Sequence, residues 1–320
     1  MAGSEQVSGK GTLSRRQVLG AAVALAGGGI STTATAVTNV EPAELPEPVK
    51  VVPMPPQAPA IEGLLDVGGA QLWFWDTGGK GMPVVLSHPA TGSGATWGYQ
   101  QPAFAEAGYR VIGYSRRGHF KSTISDAHAG ATDLADLRQL IDHLGISRFH
   151  LVGSAAGAFL AAQFAVTYPQ NLASVVLSSS LISIQDREYQ DLLARLLPSS
   201  FATMPPEFRE LGPSYRAANP EGTARWIELE QAARGAGAIA ASPSIGGTTV
   251  TFANLGALRV PMLLLTGACD LYACPALLIY VAHRLGTKSV AFVDNAGHAA
   301  YWEQPQAYNG IVLRFLSQHG

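Results

Sequence analysis

The stretch Gly153-Ser154-Ala155-Ala156-Gly157 decides the fold. It joins an apolar run at 149–152, which predicts a buried strand, to a helical pattern at 156–168 that Pro169 ends. Small residues on the helix side allow close packing against the strand. Glycines flank the central residue of this turn on both sides. That central residue is Ala155.

Short strands and helices alternate on both sides of this turn. Apolar runs predict strands at 72–75, 84–86, 110–114, 149–152, 174–177 and 260–265. The first two are separated by the glycine-rich turn 78–81, which predicts a hairpin at the sheet edge. The clearest helix is predicted at 133–144, with Thr132 as N-cap and Gly145 just after its end. The pattern therefore predicts an α/β fold, a mostly parallel sheet with helices on both faces.

The alternation stops after residue 180, where the patterns are helical, including a helix with Asn219 as N-cap. Ligands of open α/β sheets bind beyond the carboxyl ends of the strands, so an insertion after such a strand would cover the site. We therefore predict a core formed by 61–180 and 259–320, with a helical lid at 181–258 inserted after the sixth strand.

The N-terminal residues 1–36 are predicted to be a processing signal. The pair Arg15-Arg16 precedes a weakly apolar run at 20–30 and the cleavage pattern Ala34-Thr35-Ala36, and together they resemble a twin-arginine export signal. A disordered start with a chance arginine pair is the alternative. The apolar run is shorter than the roughly 20 residues that cross a bilayer, so we expect export and no membrane anchor. Residues 37–60 contain seven prolines and are expected to be an extended linker.

Composition excludes several classes of function. The 320 residues have 47% hydrophobic and 14% charged side chains and a formal net charge of -2, with no basic cluster that would favour nucleic-acid binding. The two cysteines, Cys269 and Cys274, lack zinc-site spacing, so no metal is expected, and no cofactor either. In an oxidising compartment the two cysteines are candidates for a disulfide, because they flank the loop that carries Asp270.

Five segments resemble the α/β-hydrolase superfamily, specifically lidded carboxylesterases and meta-cleavage-product hydrolases, from about Ile61 to the C-terminus. The turn matches their nucleophile elbow G-x-S-x-G except that Ala155 stands at the nucleophile. The segment Ser87-His88-Pro89-Ala90 resembles the His-Gly oxyanion segment, with Pro89 in place of glycine. Residues 113–122 resemble the structural loop D-x-R-G-x-G-x-S, with Ser115 in place of aspartate.

The last two segments supply an acid and a base. Asp270 follows a predicted strand, and Gly297-His298 with Glu303 downstream resembles G-H-x-x-x-x-E-x-P. The resemblance implies that His298 takes the proton from the nucleophile and later gives it to the leaving group. It also implies that Asp270 holds the His298 ring in the required orientation. It also implies that the backbone N–H groups of Ala90 and Ala156 form the oxyanion hole.

The resemblance implies a serine hydrolase of small apolar or aromatic carboxylic esters, in a form that binds substrate without turnover because Ala155 has no hydroxyl. Ser154 is one residue away, and a shift of one residue on this turn points the side chain elsewhere. The alanine is either an engineered replacement or natural. Two other functions stay open: a C–C bond hydrolase acting on a vinylogous diketone, and a non-catalytic homologue that binds an apolar ligand.

The predicted lid contains six arginines, and whether any of them faces the site decides whether the substrate carries a free carboxylate. They are Arg187, Arg195, Arg209, Arg216, Arg225 and Arg234. One or two facing the site would favour an ester with a free carboxylate. Alternatively they lie on solvated helix faces, balanced by neighbouring glutamates.

The first prediction concerns export. Residues 1–60 fused to a reporter should carry it out of the cytoplasm, and Arg15→Lys with Arg16→Lys should abolish that export, because the paired arginines are what the export route reads. Cell fractionation measures the distribution. Cytoplasmic retention of the unchanged fusion, or export insensitive to the lysines, would disprove the prediction.

Overall fold

One eight-stranded sheet forms the centre of the protein. A computed structural model describes residues 49–124, 132–180, 184–197, 199–234, 248–286 and 289–320. The strands are β1 (Ile61–Asp66), β2 (Gln71–Asp76), β3 (Pro83–Ser87), β4 (Arg110–Tyr114), β5 (Phe149–Ser154), β6 (Leu172–Ser178), β7 (Met262–Gly267) and β8 (Val290–Val293). Their spatial order is β1-β2-β4-β3-β5-β6-β7-β8. β2 runs antiparallel to both neighbours, and the pairs from β4 to β8 are parallel. The predicted α/β architecture is confirmed.

Helices cover both faces of the sheet. The α-helices are α1 (Gln100–Glu106), α2 (Asp133–His143), α3 (Ala156–Thr167), α4 (Arg187–Leu196), α5 (Pro206–Glu210), α6 (Pro213–Ala218), α7 (Pro220–Ala233), α8 (Phe252–Gly256), α9 (Pro275–Leu285), α10 (Ala300–Glu303) and α11 (Pro305–Ser317). Successive β3 residues belong to two different cores: Val85 lies in the cluster that includes residues of α2, α3 and α9, whereas Val84 and Leu86 lie in the cluster that includes residues of α1 and α11. The period-2 alternation of strand side chains therefore builds both layers.

The two helices predicted beside the turn form where expected. The Thr132 side chain accepts a hydrogen bond from the N–H of Ala135 at the start of α2, and Gly145 beyond its end has a φ of 65°. Helix α3 ends at Thr167, and Pro169 begins a short 3₁₀ turn. Capping residues predict the ends of these helices correctly because each of them acts on the backbone of its immediate neighbours.

The predicted hairpin between β2 and β3 is wrong. β2 pairs with β1 and β4, and β3 lies between β4 and β5 in parallel register. Residues Val84 to Ser87 are fully buried, which places β3 in the sheet interior rather than in an edge hairpin. The hairpin instead joins β1 to β2, with Leu64 opposite Trp73. β1 was not expected because Ile61 and Leu64 are exposed on an edge strand.

The folded part begins earlier than Ile61. The described part of the predicted linker has no helix or strand, but it is hydrogen-bonded to the domain. Tyr99 Oη donates to Val52 O at 2.7 Å, and the Ala58 N–H donates to Gln101 Oε1 at 2.8 Å. The predicted signal at 1–36 and the linker up to residue 48 lie outside the described residues.

Helices follow β6, as the sequence predicts. We call the described residues between β6 and α8 the helical insertion; it contains α4 to α7. Asn219 caps α7, its side chain accepting from the Gly222 N–H at 2.9 Å. α8 packs against α3 and α9 and so belongs to the core. Within the part of the chain that the structure describes, no helix is long and apolar enough to cross a membrane.

A close approach of backbones fixes the turn between β5 and α3. A Cβ atom added at Gly157 would lie 2.0 Å from Ser87 O, and one added at Gly153 would lie 2.3 Å from Gly157 O. Both separations are impossible for real atoms. The glycines therefore let α3 begin directly against the carboxyl end of β3.

Gly157→Ala should lower the free energy of unfolding by roughly 1–3 kcal/mol, because the added methyl must push α3 away from β3. Gly310→Ala is the matched control: it lies in α11 with nothing within 4 Å of its added Cβ. There the higher helix propensity of alanine should stabilise by about 0.5–1 kcal/mol. Urea titration measures both. Equal effects of the two substitutions would show that the approach at Gly157 does not constrain the fold.

Candidate active site

Ala155 lies at a strained turn at the carboxyl end of β5. Its φ of 50° and ψ of -112° are unusual for a residue with a Cβ, a conformation that costs on the order of 1–3 kcal/mol. Its N–H donates to Ser178 O at 2.9 Å, which ties the turn to β6. Ser154 is fully buried, whereas Ala155 is partly exposed. The turn therefore presents residue 155, not Ser154, to the site.

Asp270 and His298 form a buried hydrogen-bonded pair. His298 Nδ1 lies 3.0 and 2.9 Å from the two carboxylate oxygens of Asp270. Asp270 also accepts from Thr266 Oγ1 at 2.7 Å and from the N–H groups of Tyr272 and Ala273 at 2.8 and 3.0 Å. Burial opposes ionisation of Asp270, but the charge of His298 and these hydrogen bonds hold its pKa below the usual value. With Nδ1 engaged, Nε2 is the histidine nitrogen available for proton transfer.

The parallel sheet brings the sequence-predicted residues to one edge. Ala155 follows β5, Asp270 follows β7 and His298 follows β8, and these strands are parallel within the sheet. Ala90 follows β3, which is parallel to β5. Because the carboxyl ends of parallel strands share one edge, the acid, the base and the turn all lie at that edge of the sheet.

The peptide that carries the Ala90 N–H is fixed from its carbonyl side. Pro89 O lies 2.7 Å from His88 Nδ1 and accepts from Arg116 Nη2 at 3.2 Å and from the Gly92 N–H at 3.1 Å. In a trans peptide the C=O and N–H point in opposite directions, so these donors set the direction of the Ala90 N–H. Proline at position 89 is compatible with an oxyanion hole here, because the fixed group is the Pro89 carbonyl and the N–H belongs to Ala90.

His88 is therefore a positioning residue rather than a base. Its Nε2 accepts from the Arg116 N–H at 2.9 Å, which leaves the proton on Nδ1, facing Pro89 O. Burial and the charge of Arg116 hold the pKa of His88 well below its usual value. Arg116 itself is anchored by Asp133 at 3.2 Å. No sequence motif predicts this network, because its members come from three separate segments.

Glu210 is a site residue that sequence reasoning missed. It comes from the helical insertion, is 5% exposed, and its backbone carbonyl accepts from the Ala299 N–H beside His298. Burial raises the pKa of Glu210, against the charges of His298 and Arg209. Tyr272 was missed too; its ring lies 4.4 Å from the His298 ring. Neither residue belongs to a motif, so only the folded chain shows their placement.

The charges around His298 favour its protonated form. Burial alone would lower the pKa of His298, but the negative charges of Asp270, Glu210 and Glu303 outweigh it and raise that pKa to about 9. Protonated His298 must lose one of its ring protons before it can act as a base.

Most of the arginines of the helical insertion face solvent. Arg187, Arg195, Arg225 and Arg234 are exposed. The last two pair with Glu228 and Glu230. Arg216 donates to the Leu211 carbonyl, whereas Arg209 lies beside the site, where its charge acts on Glu210 and Tyr272.

The disulfide expected between Cys269 and Cys274 is absent, and both thiols are free. The loop between them is instead folded around Asp270, whose Oδ1 accepts from the Tyr272 and Ala273 N–H groups, while Cys274 begins α9. Among the described residues, no group of three or more His, Cys, Asp or Glu side chains could hold a metal ion.

Comparisons with known proteins agree with this geometry. The family model described as alpha/beta hydrolase fold matches residues 82–305. The chain belongs to the α/β-hydrolase family. The eight-stranded, mostly parallel sheet flanked by helices is that of this fold, as the sequence resemblance implied.

Individual relatives are distant. Non-heme bromoperoxidase BpoC of Mycobacterium tuberculosis is 28% identical over 261 residues, which cover 76% of this chain and 97% of that protein. The 2-hydroxy-6-oxo-6-phenylhexa-2,4-dienoate hydrolase of Comamonas testosteroni is 33% identical over 111 residues, 33% of this chain and 39% of that protein. A thermophilic esterase from Thermogutta terrifontis superposes with a TM-score of 0.67 at 24% identity, covering 82% of this chain and 100% of the esterase. The last likeness shows the fold alone.

His298 should titrate with a pKa of about 9 when followed by NMR of its ring nitrogens. Glu210→Gln should lower that pKa, because it removes a negative charge near the ring. Glu221→Gln, an exposed change on α7, is the control and should leave it unchanged. An ordinary pKa near 6.5, or one insensitive to Glu210→Gln, would contradict the charge arrangement described above.

Proposed function

We propose that the protein has the site of a serine hydrolase of carboxylic esters without its nucleophile, so that it binds an ester and does not hydrolyse it. The observation that carries this proposal is the buried Asp270–His298 pair, with Nδ1 of His298 held at 2.9 Å, at the strand ends that also carry the turn at Ala155. An acid, a base and a nucleophile position in this chain order are the elements of a hydrolytic triad.

The remaining elements of acyl transfer are supported by the loop geometry. In this proposal the N–H groups of Ala90 and Ala156 stabilise the oxyanion, and the fixed Pro89 carbonyl keeps the first of them in place. The helical insertion serves as a lid, since Glu210 reaches the buried site from it. The ligand is a small apolar or aromatic ester. Export by the twin-arginine route remains part of this proposal.

C–C bond hydrolysis of a vinylogous diketone is the alternative with a specific observation behind it. The Comamonas testosteroni relative, 33% identical over 111 residues, is named for a dienoate of this kind. The same base and oxyanion donors would serve both reactions. A natural, non-catalytic ligand-binding role is the third possibility, and the experiment below separates all three.

Ala155→Ser should restore hydrolysis of short aryl esters, since loss of the serine from a comparable triad costs about a millionfold in kcat. It should also allow covalent labelling by a phosphonate serine probe. Because neutral His298 is the base, kcat/KM should rise with pH through about 9. Stopped-flow hydrolysis across pH and mass spectrometry of the labelled protein measure these effects.

Ala155→Gly and the double change Ala155→Ser with His298→Ala are the controls, and both should be inactive. A restored protein that cleaves ring-cleavage dienones but not esters would favour the C–C alternative. If the Ala155→Ser protein folds yet neither labels nor turns over any ester or dienone, the ligand-binding role takes the place of the hydrolase proposal.

A further inference from the structure

Glu303 joins two separate parts of the chain at the site. Its Oε2 accepts the N–H of Gly212 in the helical insertion at 2.7 Å, and its Oε1 accepts the N–H of Gly297, next to His298, at 2.9 Å. A third hydrogen bond nearby runs from the Ala299 N–H to the Glu210 carbonyl at 3.0 Å. Two of these hydrogen bonds therefore join the insertion to residues 297–303, and the bond from Gly297 connects Glu303 to the His298 loop.

The two backbones also touch where Glu303 holds them. A Cβ added at Gly297 would lie 2.5 Å from the N atom of Gly212, and one added at Gly212 would lie 2.9 Å from Glu303 Oε2. Only glycines allow this approach. The segment 210–212 and the loop 297–299 therefore cannot shift independently by much without losing a hydrogen bond or colliding.

Joining two loops through a buried carboxylate costs desolvation free energy. Glu303 is 1% exposed, and burial raises its pKa to about 8, although the Gly297 and Gly212 N–H groups favour the ionised form. Two neutral partners would tie the loops together at lower cost in desolvation. A carboxylate, however, accepts from both sides at once with two equivalent oxygens, and its charge also acts on His298.

We propose that Glu303 is a positioning residue that makes closure of the helical insertion and alignment of His298 a single event. When the insertion is in place, the Gly212 N–H donates to one carboxyl oxygen of Glu303. The other oxygen accepts from the Gly297 N–H and so positions the neighbouring His298. When the insertion moves away to admit a ligand, the bonds from Gly212 to Glu303 and from Ala299 to Glu210 break, and of the three bonds the His298 loop keeps only the one to Glu303. The kinetic part of this proposal rests on the proposed hydrolase site; the coupling itself does not.

Native-state hydrogen exchange on the unchanged chain tests the coupling without any variant. The amide protons of Gly212, Gly297 and Ala299 should exchange through one common opening, with the same protection and the same dependence on added urea. Exchange at Gly212 that is at least about tenfold faster than at Gly297, with a different urea dependence, would overturn the proposal.

Variants test the positioning role. Glu303→Gln keeps the shape but can accept only one of the two N–H groups, so exchange at Gly212 and Gly297 should accelerate about tenfold or more. In the Ala155→Ser protein it should lower kcat by a similar factor per phosphonate-titrated site, with KM changed less than about twofold. Glu303→Asp, which keeps the charge but is too short to reach both partners, should behave in the same way.

Glu230→Gln is the matched control, since Glu230 is a buried glutamate of α7 whose ion pair is with Arg234. It should lower stability without a local change in exchange or in kcat per site. Equal effects of Glu303→Gln and Glu230→Gln would show a general stabilising role and refute the positioning role. An inactive Ala155→Ser protein with coupled exchange would refute the hydrolase proposal and leave the coupling standing.

Discussion

The contact on which the structure depends is the approach of α3 to the end of β3 at Gly157. With no side chain there, the first turn of the helix meets the carbonyl of Ser87, and the strand-to-helix turn is forced to be sharp. The sharp turn puts residue 155 at a positive φ and the Ala156 N–H at the helix start. The same approach brings the helix start beside the loop that carries Ala90. One glycine thus sets the relative positions of two separate segments of the site.

Charge is the second constraint on the site. One imidazole lies among three buried carboxyl groups, and each is accommodated differently. Asp270 accepts hydrogen bonds from a hydroxyl, two N–H groups and the imidazole; Glu303 accepts from two N–H groups. Glu210 depends on nearby positive charge, from His298 and Arg209. Burial raises the pKa of Glu210 and of Glu303 while the charge of His298 lowers both, so the protonated imidazole and the ionised carboxyl groups favour each other's charged forms.

Local sequence signals predicted much of this architecture. The turn, α2 with its Thr132 cap, and the strands that lead to Ala155 and Asp270 depend on residues within a few positions of each other, so patterns could identify them. The hairpin was predicted wrongly because the position of β3 depends on which strands flank it, and burial of its whole length decides that. The roles of Glu210 and Arg116 at the site could not be predicted, since the residues they contact are distant in sequence.

The strained turn is not in itself evidence of catalysis. Its geometry follows from the packing of Gly153 and Gly157, and an alanine at the centre keeps it at φ 50° although it has no hydroxyl to present. A fold that requires the turn would retain it after any loss of chemistry. The pair formed by Asp270 and His298 is different, because no strand pairing or helix cap requires an imidazole there. The case for proton transfer at this site therefore depends on that pair and on the carboxyl groups around it.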